Sequence, residues 1–419
     1  MSSLDFRGRH RVAVTGLGVK SPAGNDLDTF WARLCSGDSA GARISRYDPA
    51  ELTVQIGCEV PEFDVEKYIT MKEARRLDRS AVLGISSSVD ALADASDPRI
   101  DPARCAVVGG AGIGGLITLE EQVEIRFTKG ARSVSPLLVP MMMPNATAAG
   151  VSLRFGWTGP NFTVATACAA STNAIGDAAE LIRHGTADVV MVVGAESCQT
   201  KTAISAFARM TALSGRNDDP ARASRPFDAG RDGFVMGEGA GALLLERMDL
   251  AVERGARIYA EFGGYGRNSD AHHITAPSPG GEGAVACMKL ALADAGLDPS
   301  AVGHINAHGT STPLNDSAES AAIFKVFGDD GPVVTSTKGV TGHMIGAAGA
   351  VEAIAAILAM RSESVPPTAN LERLGDDITI DVVAGTPRFV PSKPSMSNSF
   401  GFGGHNASVI FLPAPSGVE

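Results

Sequence analysis

The feature that most limits how this chain can fold is a set of apolar runs with no polar face. CAVVGGAG at 105–112, ADVVMVVGA at 187–195 and GALLLE at 241–246 lack the in-out alternation of a half-buried strand. Strands this rich in Val and Ala are covered by helices on both faces. Helical patterns do separate them. RVAVTGLG at 11–18 precedes a helical stretch at 26–34, and NFTVAT precedes a small-residue helix after Cys168. A second round opens with IYAEFGGYG at 258–266 and continues through HINAHG, a helix from about Asp316, VVTSTKG and a helix near 347–360. It closes with the strand-like ITIDVVA, SMSNSF and ASVIFL. The alternation is that of an α/β chain, without a close sequence repeat between the rounds.

At 419 residues with 44% apolar side chains and 48 glycines, the chain exceeds one ordinary domain. No Pro/Ser-rich or like-charge run interrupts it, so two intimately packed halves are expected rather than tethered modules. No segment approaches the roughly 18 to 20 apolar residues of a membrane span, and a cytoplasmic protein is expected. The six cysteines include no CxxC pair, which suggests neither a zinc ribbon nor a disulfide framework. A net charge of -11 argues against nucleic acid as the main partner.

GAGIGG at 110–115 fits the dinucleotide-loop pattern, but no acidic residue ends a strand about 20 residues on, so tight backbone packing is the expected role. No phosphate-binding GxxxxGK[ST] string or zinc-spaced cluster occurs, and no required cofactor is indicated. The informative segment is TACAAST, where a β-branched run ends and a helical pattern starts at once. Cys168 is therefore expected near a helix N-terminus. The dipole there contributes about 1 kcal/mol, less than one pK unit, which leaves a thiol of pKa about 8.5 mostly protonated. A nucleophilic sulfur needs an imidazole as well. His308 in NAHGTSTPLND and His343 in TKGVTGHMIGAAGA lie in polar, Gly-flanked strings at strand ends. Taken singly, each of the three residues would also suit a structural role.

Together, TACAAST, NAHGTSTP, KGVTGHMIGAAGAVE and NSFGFGGHN resemble the elongating β-ketoacyl-[acyl-carrier-protein] synthases, most closely the type II enzyme. The likeness runs from VTGLG through GGAGIGGL, ISAFARM, RNDDPARASRPFDAGRDGFVMGEGAGAL and SDAHHITAP to the last strand. It implies the thiolase fold, two similar α/β halves (1–255 with the nucleophile, 256–419 with both histidines) in a five-layered αβαβα sandwich. It implies a homodimer and a decarboxylative Claisen condensation of an acyl thioester on Cys168 with malonyl-[acyl-carrier-protein] in fatty-acid elongation.

Residue by residue, the resemblance gives Cys168, His308, His343 and Lys338 catalytic roles. The backbone N–H groups of Cys168 and Phe400 become the oxyanion hole. Phe400 is also the gate, with Phe207 and Ile113 at the acyl pocket, and Thr310 and Thr312 hold pantetheine. Asp316, Glu319 and Glu352 support the histidine network, and a structural monovalent cation near Asn306, Glu352, Ser397 and Asn398 is an option. Lys72, Arg75, Arg76 and Arg132 are candidates for docking the acidic carrier. KEARR resembles the family's basic helix, and blander readings stand beside these: a surface lysine at Lys338, turn caps at Thr310 and Thr312, a solvated helical face for KEARR. PLND after HGTSTP and His405 in GGHN depart from the family pattern and bear on chain-length preference. The alternatives are an aromatic-polyketide ketosynthase with a nonidentical partner, a degradative thiolase, disfavoured because no Cys follows Cys287, and a noncatalytic chain-length subunit.

Overall fold

The computed structural model describes residues 3–415. The main sheet is built from β1 Val12–Lys20, β2 Cys105–Gly110, β3 Asn161–Val164, β4 Val189–Glu196, β5 Gly239–Arg247, β6 Ala260–Ser269, β7 His304–Asn306, β8 Val333–Thr335, β9 Ser395–Gly401 and β10 His405–Pro413. Their order is β8-β7-β9-β10-β6-β1-β5-β4-β2-β3. Only two residue pairs, Ala13↔Glu261 and Val14↔Ala260, join β1 to β6. The sheet is thus two sets of five strands meeting at a short seam.

The two sets have one topology. In the first, β2 runs parallel to β3 and β4 while β5 is antiparallel to β4 and β1. In the second, β7 runs parallel to β8 and β9 while β10 is antiparallel to β9 and β6. This duplication was invisible as sequence similarity.

The principal helices are α1 Leu27–Ser36, α2 Arg79–Asp94, α3 Leu116–Lys129, α4 Ala146–Phe155, α5 Ala170–Arg183, α6 Lys201–Arg209, α7 Glu282–Ala295, α8 Pro313–Phe327 and α9 Ala348–Arg361. The outer helix α2 packs on β1 and β5, and α7 packs on β6 and β10. Between the two sets of strands lie α5, against β2 and β4, and α9, against β7 and β9. Helix, sheet, helix, sheet, helix is the five-layered thiolase-type sandwich.

The central layer explains the small residues. Ala348 through Ala356 of α9 are all buried, as expected of a helix with protein on every side. A Cβ on Gly349 would lie 2.0 Å from Thr172 Oγ1, so glycine is what lets α9 cross α5 this closely. A hydrogen bond then locks the crossing, Ala350 N donating to Ser171 Oγ at 3.0 Å, and α5 is tied to strand β9 by the Thr172 and Ser399 hydroxyls, 2.7 Å apart.

Two local expectations are corrected. ITIDVVA forms no strand. Val334 N donates to Asp381 O and Val383 N to Val334 O, but Val382 makes only an isolated bridge to Val334 beside the edge strand β8. KEARR is not one helix: Met71–Ala74 is a single turn closed at its start by a Thr70/Glu73 capping box, with Arg75 as its C-cap. Among the described residues, no helix is long and apolar enough to cross a membrane.

Candidate active site

Beyond β3 the chain turns through Ala167, whose φ of 49° is left-handed and costs about 1–3 kcal/mol for a non-glycine residue. The 3-10 turn Ala167–Ala169 follows and feeds α5, which seats Cys168 at the head of a buried helix. The second half repeats the device: Ile345, at φ 47°, opens the turn Ile345–Ala347 into α9. The two strained turns touch. Fold duplication therefore delivers the nucleophile and the segment after His343 to one point.

His343 is held by its own backbone, its N donating to Val235 O at 2.7 Å and its O accepting from Gly237 N at 2.8 Å. Its ring meets Phe234 edge-on, and Nε2 lies 3.0 Å from Cys168 Sγ. His308 follows β7, and Glu319 clamps its loop by accepting from the N–H groups of His308 and Gly309, each at 2.7 Å. The two imidazoles stand nearly perpendicular, with centroids 5.4 Å apart. One ligand-type atom from each of Cys168, His308 and His343 falls within 4.8 Å of the others.

All three groups are buried, and burial dominates their titration. It drives both imidazoles well below the usual histidine range, and Lys338 adds repulsion. Both rings are thus neutral at physiological pH. Burial also pushes the Cys168 thiol up to about 11, against the opposing pull of the Phe402 N–H and of Lys338. Desolvation outweighs both pulls, leaving a neutral thiol–imidazole pair whose proton moves only as the sulfur attacks.

Lys338 is buried and pairs with Glu352. Asp316 accepts from Phe227 N at 2.8 Å and Ser311 N at 3.2 Å, and burial raises it to about 6. Glu319 is raised to about 7 by the same cause. These carboxylates hold backbone loops. The hydroxyls of Thr310 and Thr312 lie 2.9 Å apart beside His308.

One assignment shifts along the chain. The backbone N–H that reaches Cys168 Sγ belongs to Phe402, not Phe400. Phe400 is still inside β9, paired with Asn406, and its ring meets the His308 edge at 6.1 Å. β9 ends at Gly401, so the next residue is free to turn its amide toward the sulfur. Phe402 also contacts Phe207, at 6.3 Å, whereas Phe207 has no ring contact with Phe400 among the described residues. Ile113 is partly exposed on the 110–115 loop.

The cation option passes a test of fit. Asn306 Oδ1, Glu352 Oε2 and Ser397 Oγ are buried without a hydrogen-bond partner among the described residues, the state expected of oxygens that share an ion. Asn398 Oδ1 is already used, accepting from Ser408 Oγ at 2.7 Å. Lys72, Arg75, Arg76 and Arg132 are exposed.

A thiol paired with a neutral imidazole, beside a second imidazole and an inward-facing amide on a duplicated α/β scaffold, defines a thiol-dependent acyl-transferring enzyme. Residues 9–251 match the family described as Beta-ketoacyl synthase, N-terminal domain, and residues 259–372 its C-terminal domain. The chain is 44% identical over 407 residues to 3-oxoacyl-[acyl-carrier-protein] synthase 2 of Synechocystis sp., covering 96% of this chain and 98% of that one. A β-ketoacyl synthase from Burkholderia phymatum superposes with a TM-score of 0.91 at 36% identity, over 97% of this chain and 100% of the other. A ketosynthase solved in complex with its type II polyketide acyl-carrier protein gives 0.85 at 29% identity, over 97% and 100%. This chain belongs to the β-ketoacyl synthase family.

Proposed function

We propose that the enzyme condenses an acyl group carried on Cys168 with malonyl-[acyl-carrier-protein], giving β-ketoacyl-[acyl-carrier-protein] in fatty-acid elongation. The observation that carries this reading is the 3.0 Å approach of His343 Nε2 to Cys168 Sγ beside a second neutral imidazole. As the sulfur attacks the incoming acyl thioester, its proton passes to His343 Nε2. The tetrahedral oxyanion accepts from the N–H groups of Cys168 and Phe402, a contribution of several kcal/mol in comparable sites. Its collapse expels the carrier thiolate, which takes the proton back.

Malonyl carrier protein enters next. Its C–C bond to the carboxylate breaks, carbon dioxide leaves, and the enolate oxygen accepts from the ring N–H groups of His308 and His343. The carbanion attacks the Cys168 thioester carbonyl, and the sulfur departs as a thiolate that takes a proton from solvent to restore the resting thiol. Neutral rings suit the decarboxylation: His308 presents a ring N–H without being an acid, and His343, whose Nε2 gave its proton to the departing carrier, presents one there after its remaining proton moves from Nδ1 to Nε2. Mass spectrometry of a reaction with malonyl and long acyl carrier proteins should show products two carbons longer. No β-ketoacyl product at any acyl length would overturn the proposal.

An aromatic-polyketide role is the second reading, and the higher identity to the elongation synthase weighs against it. Copurification of a nonidentical, nucleophile-free partner would reverse that preference. Exposed Lys72, Arg75, Arg76 and Arg132 suit an acidic carrier. Reversing the charges of Arg75 and Arg76 should raise KM for carrier-bound substrate and leave kcat unchanged; an unmoved KM removes them from docking.

A homodimer is supported by the β3 edge, which among the described residues pairs only with β2, and by the apolar Phe127, Val139 and Leu153, which are 73%, 61% and 85% exposed in the single chain. Sedimentation at the mass of one chain would refute it. Asn306, Glu352 and Ser397 would hold a monovalent cation that screens the Lys338–Glu352 pair. A melting temperature insensitive to exchanging potassium for a bulky organic cation would count against that site.

A further inference from the structure

Cys168, His308 and His343 come from three separate junctions: the head of α5, the end of β7 and the stretch before the turn Ile345–Ala347. No sequence spacing announces them as a ligand set, yet in space they form one. Their sulfur and ring nitrogens lie within 4.8 Å of one another, the one such group of metal-ligating side chains among the described residues. A four-coordinate zinc ion, with bonds of about 2.0–2.3 Å, sets thiolate and imidazole donors about 3.3–3.6 Å apart. His343 Nε2 lies 3.0 Å from Cys168 Sγ, so that pair needs to open by only about half an ångström to admit the ion.

The scaffold holds the three ligands in place without an ion, His343 through Val235 and Gly237 and the His308 loop through Glu319. Negative charge reaches the sulfur from Glu352 and from Glu196, whose oxygens accept from the N–H groups of Gly112, Ile113, Gly114 and Gly346. These carboxylates oppose the charge of Lys338, so the pocket does not exclude a cation. Nδ1 of each histidine is buried without a hydrogen-bond partner among the described residues. A metal-bound imidazole usually donates its second ring N–H to a carboxylate or carbonyl, and losing that partner weakens binding about 10–100-fold. An ion here is therefore held reversibly, unlike a structural zinc.

We propose that Cys168, His308 and His343 also form a thiolate–diimidazole site for Zn²⁺, whose occupation switches the enzyme off. The Cys168 S–H proton passes to solvent, one Zn–S and two Zn–N bonds form, and water fills the fourth position. Each ring binds through its lone-pair nitrogen and keeps its proton on the other. The switch rests on the condensing reading above, because the ion occupies the nucleophile and both imidazoles that the reaction uses. An acyl group on Cys168 removes the thiolate, so the acyl-enzyme resists the metal.

The test uses Co²⁺ as a coloured stand-in for Zn²⁺ on the full chain. Wild type should show a thiolate-to-cobalt charge-transfer band with the visible bands of a four-coordinate ion, both bleached by equimolar Zn²⁺. Cys168→Ala should lose the charge-transfer band, and His308→Ala should bind Zn²⁺ at least about tenfold more weakly. Condensation by the wild type should fall with Zn²⁺ and return with a chelator, whereas a single turnover of enzyme acylated before the metal is added should survive. No band in the wild type, a band that persists in Cys168→Ala, or unchanged affinity in His308→Ala overturns the site. Zinc bound without loss of condensation overturns the switch. A wild type that binds cobalt but condenses no acyl chain of any length would instead overturn the condensing reading itself.

Discussion

Cys168→Ala should lower β-ketoacyl product formation by about 10⁴-fold or more, the scale seen when a covalent nucleophile is removed. Carbon dioxide release from malonyl carrier protein should persist. The separation follows from the geometry. Acyl transfer needs a sulfur whose proton His343 Nε2 can receive across 3.0 Å, whereas decarboxylation needs only N–H donors on the two imidazoles. An alanine methyl leaves those rings in place, because His343 is fixed by Val235 and Gly237 and the His308 loop by Glu319. Mass spectrometry for product and isotope counting for released carbon dioxide would read the two steps independently. A variant that still condenses would remove Cys168 from the mechanism.

His308→Ala is expected to do the converse, lowering decarboxylation about 10²–10³-fold, the cost of one oxyanion-type donor in a dry site, while acylation of Cys168 continues. His343 is the ring in hydrogen-bond reach of the sulfur; His308 stands behind it, edge to face. Trapping the acyl-enzyme and measuring carbon dioxide from malonyl substrate distinguishes the steps. Loss of acylation with decarboxylation intact would exchange the two histidines' roles. Both effects depend on neutral rings, which burial and the Lys338 charge jointly maintain.

The catalytic trio was legible from its strings in combination, since each residue taken singly would also suit a structural role. TACAAST must turn from strand to helix at a thiol, and two histidines sit among glycines and hydroxyls where apolar packing would be expected. Glu319 came only through the family resemblance, as an acidic residue that follows HGTSTP. The choice between Phe400 and Phe402 was not legible. The string NSFGFGG offers two phenylalanines, and the one that aims its amide at sulfur is decided by β9 ending at Gly401. How strongly Cys168 resists ionisation was not legible either, since a local dipole is readable from the chain but desolvation depends on everything packed around it.

The sequence by itself determined the alternation of elements, the burial of the strands on both faces and the residue types able to perform the chemistry, because all of these are written in short-range pattern. Tertiary structure alone decided that two unlike halves share one topology, that strained turns at Ala167 and Ile345 meet, and that Glu196 binds amides from positions 112–114 and 346. Backbone N–H groups are the same in every residue but proline, so no side-chain pattern can reveal which of them a buried carboxylate will gather.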